Sequence, residues 1–288
     1  MSKEDFNVVA FLKACAHKKD LCEGSRIHAS IVRKGLLEKS PYLATTLISM
    51  YAKCGALLKA QKVLEELPTR NVISWNALIS GYAQEGRVYE AFKCFKTMQN
   101  EGISPDTITF ICILKACSIA RDVEMGITIH VKIVSNCFLF KDIALGNALV
   151  DMYAKCGLIN KAQEVLEELP VRDVVSWNIM IAGCVQNEQN NKALSVYERM
   201  QSEGLTPDSI TFILILKACS SIGLIENGEE IHEKLLRRGL LENDIVLSTA
   251  LVDMYAKCGA LEKAQQVLEG LFARDTICWN ALIREYTQ

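Results

Sequence analysis

The sequence predicts an all-α solenoid, a stack of paired helices, and three observations lead to this prediction. The tripeptide Lys13-Ala14-Cys15 returns at residues 115 and 217, each time after 102 residues. Each long period is itself made of three related pieces of unequal length. Each piece carries two apolar stripes at helical spacing. One helix pair cannot bury both stripes, but stacked neighbours can, which is typical of solenoids with an extended concave surface.

The pieces follow the order long, short and standard. They are aligned by landmarks such as Ser74-Trp75-Asn76, which recurs with Trp177 and Trp279. Eight repeats are complete and the ninth stops after one helix. The long repeats span 5–40, 107–142 and 209–244, the short ones 41–71, 143–173 and 245–275, and the standard ones 72–106, 174–208 and the partial 276–288.

Each repeat is predicted to be two antiparallel helices. In the first standard repeat, Ser74 is expected to cap the start of the first helix, and Gly86 to separate it from the second. Gly102 and Pro105 end the repeat. The two apolar stripes are formed by Trp75, Leu78, Ile79 and Tyr82, and by Ala91, Phe92, Phe95 and Met98.

Composition supports one repeat domain spanning 1–288. Hydrophobic residues make up 50% of the chain, yet no stretch approaches the ~20 apolar residues of a membrane span, so no membrane partner is expected. The net charge of −2 gives no general attraction to a polyanion. It counts against a nucleic-acid partner, although a local basic stripe is enough for binding.

Neither cysteine nor histidine indicates a metal site, a cofactor or an enzyme. The chain has 12 cysteines but no C-x-x-C pair, and equivalent cysteines such as Cys15 and Cys117 lie whole periods apart. We therefore expect the cysteines to be reduced thiols that are buried and serve in packing. His28, His130 and His232 occupy one repeat position and cannot converge on one ion. No catalytic triad, phosphate loop or deaminase signature is present.

The motifs resemble the pentatricopeptide repeat (PPR) family, and more closely its land-plant subclass with P, L and S triplets. One standard (P) repeat opens with the run from Ile73 to Gln84 and closes with the run from Met98 to Asp106. The next long (L) and short (S) repeats carry the runs 114–118 and 148–157. The resemblance covers essentially the whole chain and implies a right-handed superhelical solenoid.

Proteins of this family bind single-stranded RNA with one nucleotide per repeat. The resemblance implies that the fifth and the last residue of a repeat face the base together. In the S and P repeats the fifth residues are Thr45, Asn76, Asn147, Asn178, Thr249 and Asn280, and the last residues are Asn71, Asp106, Asp173, Asp208 and Asp275. The L repeats have Val9, Ile111 and Ile213 at the fifth position, which cannot hydrogen-bond a base.

Helical geometry supports these positions separately. Asn76 lies about 100° round the helix from Trp75, outside the arc of the apolar stripe, and is therefore expected to face a ligand. Short polar side chains offer the donors and acceptors that meet a base edge. The alternative is that Asn, Thr and Asp only satisfy free backbone groups at helix N-termini.

Two further sets follow from the family pattern. The second residue of a repeat is implied to sandwich the bases, against the alternative of ordinary packing between helices; Ala144 is too small for this role. Lysines at the thirteenth position could contact phosphate, or could merely favour a helix C-terminus. The sandwiching set is Tyr42, Ile73, Val175, Val246 and Ile277, and the lysines are Lys53, Lys155 and Lys257.

The usual pairings of the family give a predicted target. Thr with Asn favours A, Asn with Asp favours U, and Thr with Asp favours G. With chain and RNA parallel, the target is 5′-NAUNUUNGY-3′, where N marks the L repeats and Y follows from Asn280 alone.

The resemblance also implies a pathway. Members of the subclass commonly specify sites of C-to-U RNA editing in mitochondria or chloroplasts. The extension and deaminase motifs that normally follow the array are absent, so we expect a fragment that needs a deaminase from elsewhere in its parent chain, or a deaminase or editing factors in trans. Acidic Glu4 and Asp5 are atypical of a transit peptide, and none is evident.

A tetratricopeptide-like scaffold that binds protein is the competing hypothesis. The spacings of Trp75, Leu78, Tyr82, Ala91 and Phe95 approach the skeleton of that family. Ile79 and Ile181 stand where that family has Gly, and the repeat lengths are unequal.

Overall fold

The computed structural model describes residues 3–37, 40–135, 142–241 and 244–270, together with Trp279. Throughout these residues the regular secondary structure is helical, which confirms the predicted all-α class. The chain divides into an N-terminal half, residues 1–152, and a C-terminal half, residues 153–288.

Helices follow one another in pairs joined by short turns. The first eight are α1 (Lys3–Lys18), α2 (Leu21–Arg33), α3 (Pro41–Lys53), α4 (Leu57–Glu66), α5 (Val72–Gln84), α6 (Val88–Asn100), α7 (Thr107–Ala120) and α8 (Val123–Ser135). The division between the halves falls in α9 (Ile143–Lys155). The remaining helices are α10 (Ile159–Glu168), α11 (Val174–Gln186), α12 (Asn190–Ser202), α13 (Ser209–Ile222), α14 (Ile225–Arg237), α15 (Ile245–Lys257) and α16 (Leu261–Gly270).

Capping explains where the first helix of a pair begins. The Asn71 side chain accepts a hydrogen bond from the backbone N–H of Ser74, and the Ser74 hydroxyl accepts one from the backbone N–H of Asn71. This reciprocal arrangement is a capping box. The N-cap is therefore Asn71, and the expectation that Ser74 caps the helix was wrong by three residues. The limits of the repeats themselves stay a prediction.

The pairs stack in the manner of a solenoid within each half. In the N-terminal half α1 packs on α3, α3 on α5 and α5 on α7, while α2, α4 and α6 each contact the first helix of the next pair. In the C-terminal half α11 packs on α13 and α13 on α15 in the same way. The predicted stripe of Trp75, Leu78, Ile79 and Tyr82 is buried in this core. The solenoid class is confirmed.

Glycine sets how closely neighbouring first helices approach. A Cβ atom on Gly81 of α5 would lie 2.7 Å from the Cβ of Ala52 on α3. In the C-terminal half, a Cβ on Gly183 would lie 2.5 Å from that of Ala154. Both distances are shorter than real contacts allow, so only glycine permits this spacing. Gly86 has a φ of +69° and follows the end of α5, as predicted for the break between the two helices.

The cysteines depart in part from the sequence prediction. Cys15, Cys94, Cys117, Cys184 and Cys219 are buried, but Cys22 is exposed, and four others are intermediate. Cysteines that are not equivalent in the repeat also approach each other, because the Cys54 thiol lies 3.9 Å from the Cys15 carbonyl oxygen. None of the described cysteines forms a disulfide bond.

Candidate functional site

The fifth and last residues of the first P repeat form one hydrogen-bonded group in the N-terminal half. The Asn76 amide nitrogen donates to Oδ1 of Asp106 at 2.9 Å. Thr109, the third residue of the next repeat, donates its hydroxyl to Oδ1 of Asn76 at 2.6 Å. The same hydroxyl lies 2.8 Å from Oδ1 of Asp106, and the backbone N–H of Thr109 donates to that oxygen at 2.8 Å. We call this group the N-terminal P site.

The C-terminal half contains the same group, made of Asn178, Asp208 and Thr211. The Asn178 amide donates to Asp208 at 3.0 Å, and the Thr211 hydroxyl donates to Oδ1 of Asn178 at 2.7 Å. Thr211 also binds Asp208 through its backbone N–H at 2.8 Å and its hydroxyl at 2.8 Å. We call this group the C-terminal P site.

The helical projection was wrong about the exposure of the asparagines. Asn76 is only 6% exposed and Asn178 only 7%. The projection considered one helix alone, whereas Asp106 and Thr109 at the start of α7 cover the side of α5 on which Asn76 lies. Asn76 therefore exposes only a small part of its surface.

Both aspartates are held in the charged form. Burial raises the pKa of the Asp106 carboxyl, but hydrogen bonds from the Thr109 backbone N–H and the Asn76 amide outweigh this effect. The resulting pKa is lower than the ordinary value. Asp208 has a lowered pKa for the same reasons, with Asn178 and Thr211 as the donors. Oδ2 of each aspartate has no hydrogen bond to the described residues.

The first S repeat brings Thr45, Asn71 and Ser74 around one small pocket. The Thr45 hydroxyl donates to the carbonyl of Pro41 at 3.0 Å, one turn back along its own helix. Oδ1 of Asn71 accepts from the backbone N–H of Ser74 at 2.9 Å, and the amide nitrogen of this exposed residue has no hydrogen bond to the described residues. We call this group the N-terminal S site.

The other sequence-predicted S-repeat positions are described singly. Asn147 is buried and its Oδ1 has no hydrogen-bond partner among the described residues. Asp173 caps α11 and accepts from the backbone N–H of Ser176 at 2.8 Å. Thr249 donates its hydroxyl to the carbonyl of Ile245 at 2.7 Å. Asp275, Ile277 and Asn280 lie outside the described residues.

The last residues of the repeats do cap helices, which was the alternative to base reading. Asn71, Asp106, Asp173 and Asp208 are all N-caps of the following helix. In the P sites the same carboxylate oxygen also holds the asparagine amide, so capping and pairing occur together.

The second residues of the repeats are exposed apolar side chains. Ile73 is 61% and Val246 65% exposed, and Tyr42 and Val175 are each about half exposed. Ala144 is exposed as well. Such exposure disfavours the alternative of packing between helices. Lys13 of the preceding L repeat donates to the Tyr42 hydroxyl at 3.2 Å, so a cation lies beside this ring.

The three predicted phosphate-contacting lysines are exposed at the C-terminal ends of their helices. Lys257 is already paired with Asp253, with Nζ 2.6 Å from Oδ2. Its cation is therefore partly neutralised. Lys53 and Lys155 occupy the equivalent positions in α3 and α9.

The L repeats present no polar group at the fifth position. Val9 is buried, and Ile111 and Ile213 are partly buried. In the part of the chain that the structure describes, no group of His, Cys, Asp and Glu side chains is arranged to hold a metal ion. Among those same residues, no helix combines the length and apolar character that crossing a bilayer requires.

Sequence reasoning missed Thr109 and Thr211. The signal was present, because a hydroxyl residue stands three positions after the last residue of each P repeat, as in Asp106-x-x-Thr109. That spacing predicts a capping box. The bond from the hydroxyl to the asparagine of the preceding repeat depends on how successive helices stack, which local spacing does not specify.

Comparison with known proteins identifies related sequences. The model of the PPR repeat family matches residues 70–118 and 172–221, and that of the PPR repeat matches 42–72, 147–174, 210–240 and 246–273. A putative pentatricopeptide repeat-containing mitochondrial protein of Arabidopsis thaliana is 39% identical over 97% of this chain and 44% of its own length. A chloroplastic pentatricopeptide repeat-containing protein of the same plant is 33% identical over 99% of this chain and 46% of its own length. The chain thus spans less than half of each of these relatives.

Solved structures give the same fold. The pentatricopeptide repeat protein PPR10 from maize superposes with a TM-score of 0.76 at 21% identity, over 92% of this chain and 38% of PPR10. PPR10 in complex with an 18-nt psaJ RNA element superposes with a TM-score of 0.72 at 22% identity, over 92% of this chain and 40% of PPR10.

Proposed function

The chain belongs to the pentatricopeptide repeat family, and on this basis we propose that it binds single-stranded RNA in a sequence-specific manner, one base per repeat. The observation that carries the proposal is the donor–acceptor pair of the two P sites. The same hydrogen bonds occur in the two halves, and corresponding donor–acceptor distances differ by about 0.1 Å. The complex of PPR10 with an RNA element supports RNA as the ligand class.

The open edge of a P site complements uracil. Asn76 has one amide hydrogen that Asp106 does not take, and Asp106 has its free Oδ2. A donor beside an acceptor matches the carbonyl oxygen and N3–H of uracil. Cytosine has an unprotonated N3 at that place, and its lone pair would face the carboxylate. We therefore assign U to the Asn76–Asp106 and Asn178–Asp208 pairs.

The N-terminal S site complements adenine. Thr45 donates its only hydroxyl proton to Pro41, so its oxygen can only accept from a ligand. The Asn71 amide nitrogen carries only donor hydrogens, so it can only donate to a ligand. An acceptor beside a donor matches N6–H and N1 of adenine. The base assignments extend to the pairs Asn147–Asp173 (U) and Thr249–Asp275 (G), and to Asn280 (pyrimidine), which gives the target 5′-NAUNUUNGY-3′.

Stacking and charge complete the proposed interface. We propose that Tyr42, Ile73, Val175, Val246 and Ile277 separate and sandwich successive bases. Lys53, Lys155 and Lys257 would contact phosphate, and Asp253 would compete with the phosphate for Lys257. A chain with a net charge of −2 needs such local cations to hold a polyanion.

The test is fluorescence anisotropy of labelled 5′-NAUNUUNGY-3′ RNA. The controls are a scrambled oligomer, matching DNA and a salt titration. We expect preference for the designed RNA, and Asn178→Thr should move the preference at the sixth nucleotide from U toward G. Binding that depends on salt without base preference would reduce the interaction to electrostatics. Affinity for peptide with none for RNA would favour a tetratricopeptide-like scaffold.

For the biological role, we propose recognition of sites for C-to-U editing in mitochondrial or chloroplast transcripts, with the deaminase supplied by another segment or protein. The organellar names of the relatives support this location. Incubation of the purified chain with a cytidine-containing target is expected to give no deamination. Uridine formation by the chain alone would contradict the proposal that another segment or protein supplies the deaminase.

A further inference from the structure

Each P site contains a threonine hydroxyl that has no part in the proposed base-reading pair. Thr109 lies in the repeat that follows Asn76, and its Oγ1 is 2.6 Å from Oδ1 of Asn76 in a buried bond. Thr211 makes the same bond to Asn178 at 2.7 Å. Both threonines are fully buried, so the hydroxyls are inaccessible to a ligand.

The bond selects one of the two orientations of the asparagine amide. With Oδ1 of Asn76 toward Thr109, Nδ2 donates to Asp106. Rotation of the amide by 180° would bring two acceptor oxygens to about 2.9 Å from each other, at the place of the present bond. It would also put an N–H group against the Thr109 oxygen, which already accepts from the backbone N–H of Asp106 at 3.1 Å.

We infer that Thr109 and Thr211 are positioning residues for RNA specificity: each holds the base-reading asparagine of the preceding P repeat with its amide nitrogen toward the base. This inference rests on the proposed function. An asparagine fixed in this way presents a donor, which suits the carbonyl oxygen of uracil. A rotated asparagine presents an acceptor, which suits the N4 amino group of cytosine. Thr109 and Thr211 therefore act on the choice between U and C.

The other described sites lack this hydroxyl bond. In the N-terminal S site the third residue of the next repeat is Ser74, whose hydroxyl donates to the backbone carbonyl of Asn71 at 2.7 Å. Asn147, the asparagine of the second S repeat, has an Oδ1 without a partner among the described residues. The orienting hydroxyl thus occurs with the two described P sites and with neither of these S positions.

The experiment measures Kd for nonamers that carry U or C at the third nucleotide, which faces the N-terminal P site. Thr109→Val keeps the branched shape but removes the hydroxyl. We expect the preference for U over C to fall about fivefold, the ratio that corresponds to one net hydrogen bond. Thr109→Ser retains the hydroxyl and should keep most of the preference. Thr211→Val should leave the third nucleotide unaffected and relax the sixth.

A purely structural role gives a different pattern. Thr109 also belongs to the capping box of α7, and its loss weakens that helix. Asp20→Ala removes the N-cap of α2, which belongs to none of the P or S sites, so it should retain the U preference at the third nucleotide. Equal weakening of U and C binding by Thr109→Val, or a similar loss of preference in Asp20→Ala, would overturn the inference.

A second measurement separates this inference from the proposed function. Thermal unfolding of Asn76→Ala, Thr109→Val and the double variant tests the bond without RNA. We expect the double variant to lose less than the sum of the single losses in the unfolding midpoint. Additive losses beside an intact wild-type preference for U would overturn the positioning role alone. A wild-type chain that shows no base preference would remove the proposed function, and the positioning role with it.

Discussion

The N-terminal P site and the N-terminal S site use the same backbone device but differ in how the side chains are held. In both, the last residue of one repeat caps the next helix. In the P site the cap also holds the fifth residue, because Asp106 binds Asn76. In the S site Thr45 is bonded to its own helix and Asn71 to the backbone of Ser74. A carboxylate that caps a helix with one oxygen keeps its second oxygen as an acceptor, whereas an amide that caps through its oxygen has only its nitrogen, a donor, as the second polar atom.

This difference implies a difference in preorganisation. The P site presents its donor and acceptor already fixed relative to each other, so little side-chain freedom remains to be lost when a base binds. The S site presents two side chains that are oriented separately. We expect P repeats to discriminate bases more sharply than S repeats on the same RNA.

The largest expected effect comes from breaking the P site at its centre. Asp106→Ala removes the cap of α7 and also leaves the buried Asn76 amide nitrogen without its acceptor. Cap loss costs about 1 kcal/mol, and unsatisfied buried groups add roughly 1–3 kcal/mol. We expect a loss of about 3 kcal/mol in the free energy of unfolding, measured by urea denaturation.

Asn71→Ala is the matched control in the S site. It removes a cap of the same kind, but no buried side chain depends on it, so a loss of about 1 kcal/mol is expected. Equal losses in the two variants would show that the pairing of Asn76 with Asp106 adds nothing to the cap.

A second prediction converts one site into the other. Thr45→Asn with Asn71→Asp gives the S site the P-type pair, and the preference at the second nucleotide should change from A to U. Ser74 already carries a hydroxyl at the position equivalent to Thr109, so Ser74→Ala in this background should lower the preference for U over C by about fivefold. The measurement is the Kd of nonamers that differ only at the second nucleotide.

The reverse exchange is the control for this conversion. Asn76→Thr with Asp106→Asn should move the third nucleotide from U to A and leave the second unchanged. A change of preference at the wrong nucleotide would place the repeats in a different register on the RNA.

The third prediction concerns acid. Because the folded pKa of Asp106 is lowered, its ionised form stabilises the native state fully above about pH 4, near the ordinary value of an unfolded Asp. That stability is lost as the pH falls through the lower folded-state pKa. In urea unfolding between pH 7 and pH 3, Asp106→Asn should be less acid-sensitive than the wild type. Asn71→Asp should give the S site the same loss of stability in acid. If it does not, the carboxylate at position 71 is not held in the charged form as Asp106 is.

The sequence predicted the fold more fully than the site. The 102-residue period and the stripe from Trp75 to Tyr82 were sufficient for helix pairs and their stacking, because periodic apolar faces must be covered by neighbours. Family resemblance supplied Asn76 and Asp106 as candidate residues. The burial of Asn76 and the role of Thr109 depend on contacts across more than 30 residues, which a projection of one helix does not contain.

The smallest predicted effect concerns the acid sensitivity of the helices next to the S site, and it compares them with the helices of the P repeat. His28 of α2 is hydrogen-bonded to the Tyr51 hydroxyl of α3 at 2.9 Å, on the helix that carries Thr45, whereas α5 and α6 of the P repeat contain no histidine. Burial lowers the pKa of His28, with Glu66 opposing and Lys59 adding to the shift. The unfolded chain therefore binds this proton first, and stability is lost as the pH falls below about 6.5.

His28→Phe keeps an aromatic ring against Tyr51, in place of the present edge-on contact, but cannot titrate. Between pH 7 and pH 5 its unfolding midpoint should fall less steeply than that of the wild type. His232 binds Tyr255 in the same way at 3.0 Å, so His232→Phe should repeat the result in the C-terminal half. An unchanged slope in both Phe variants would mean that these histidines bind protons equally in the folded and the unfolded chain, and that mild acid does not distinguish the helices of the two sites.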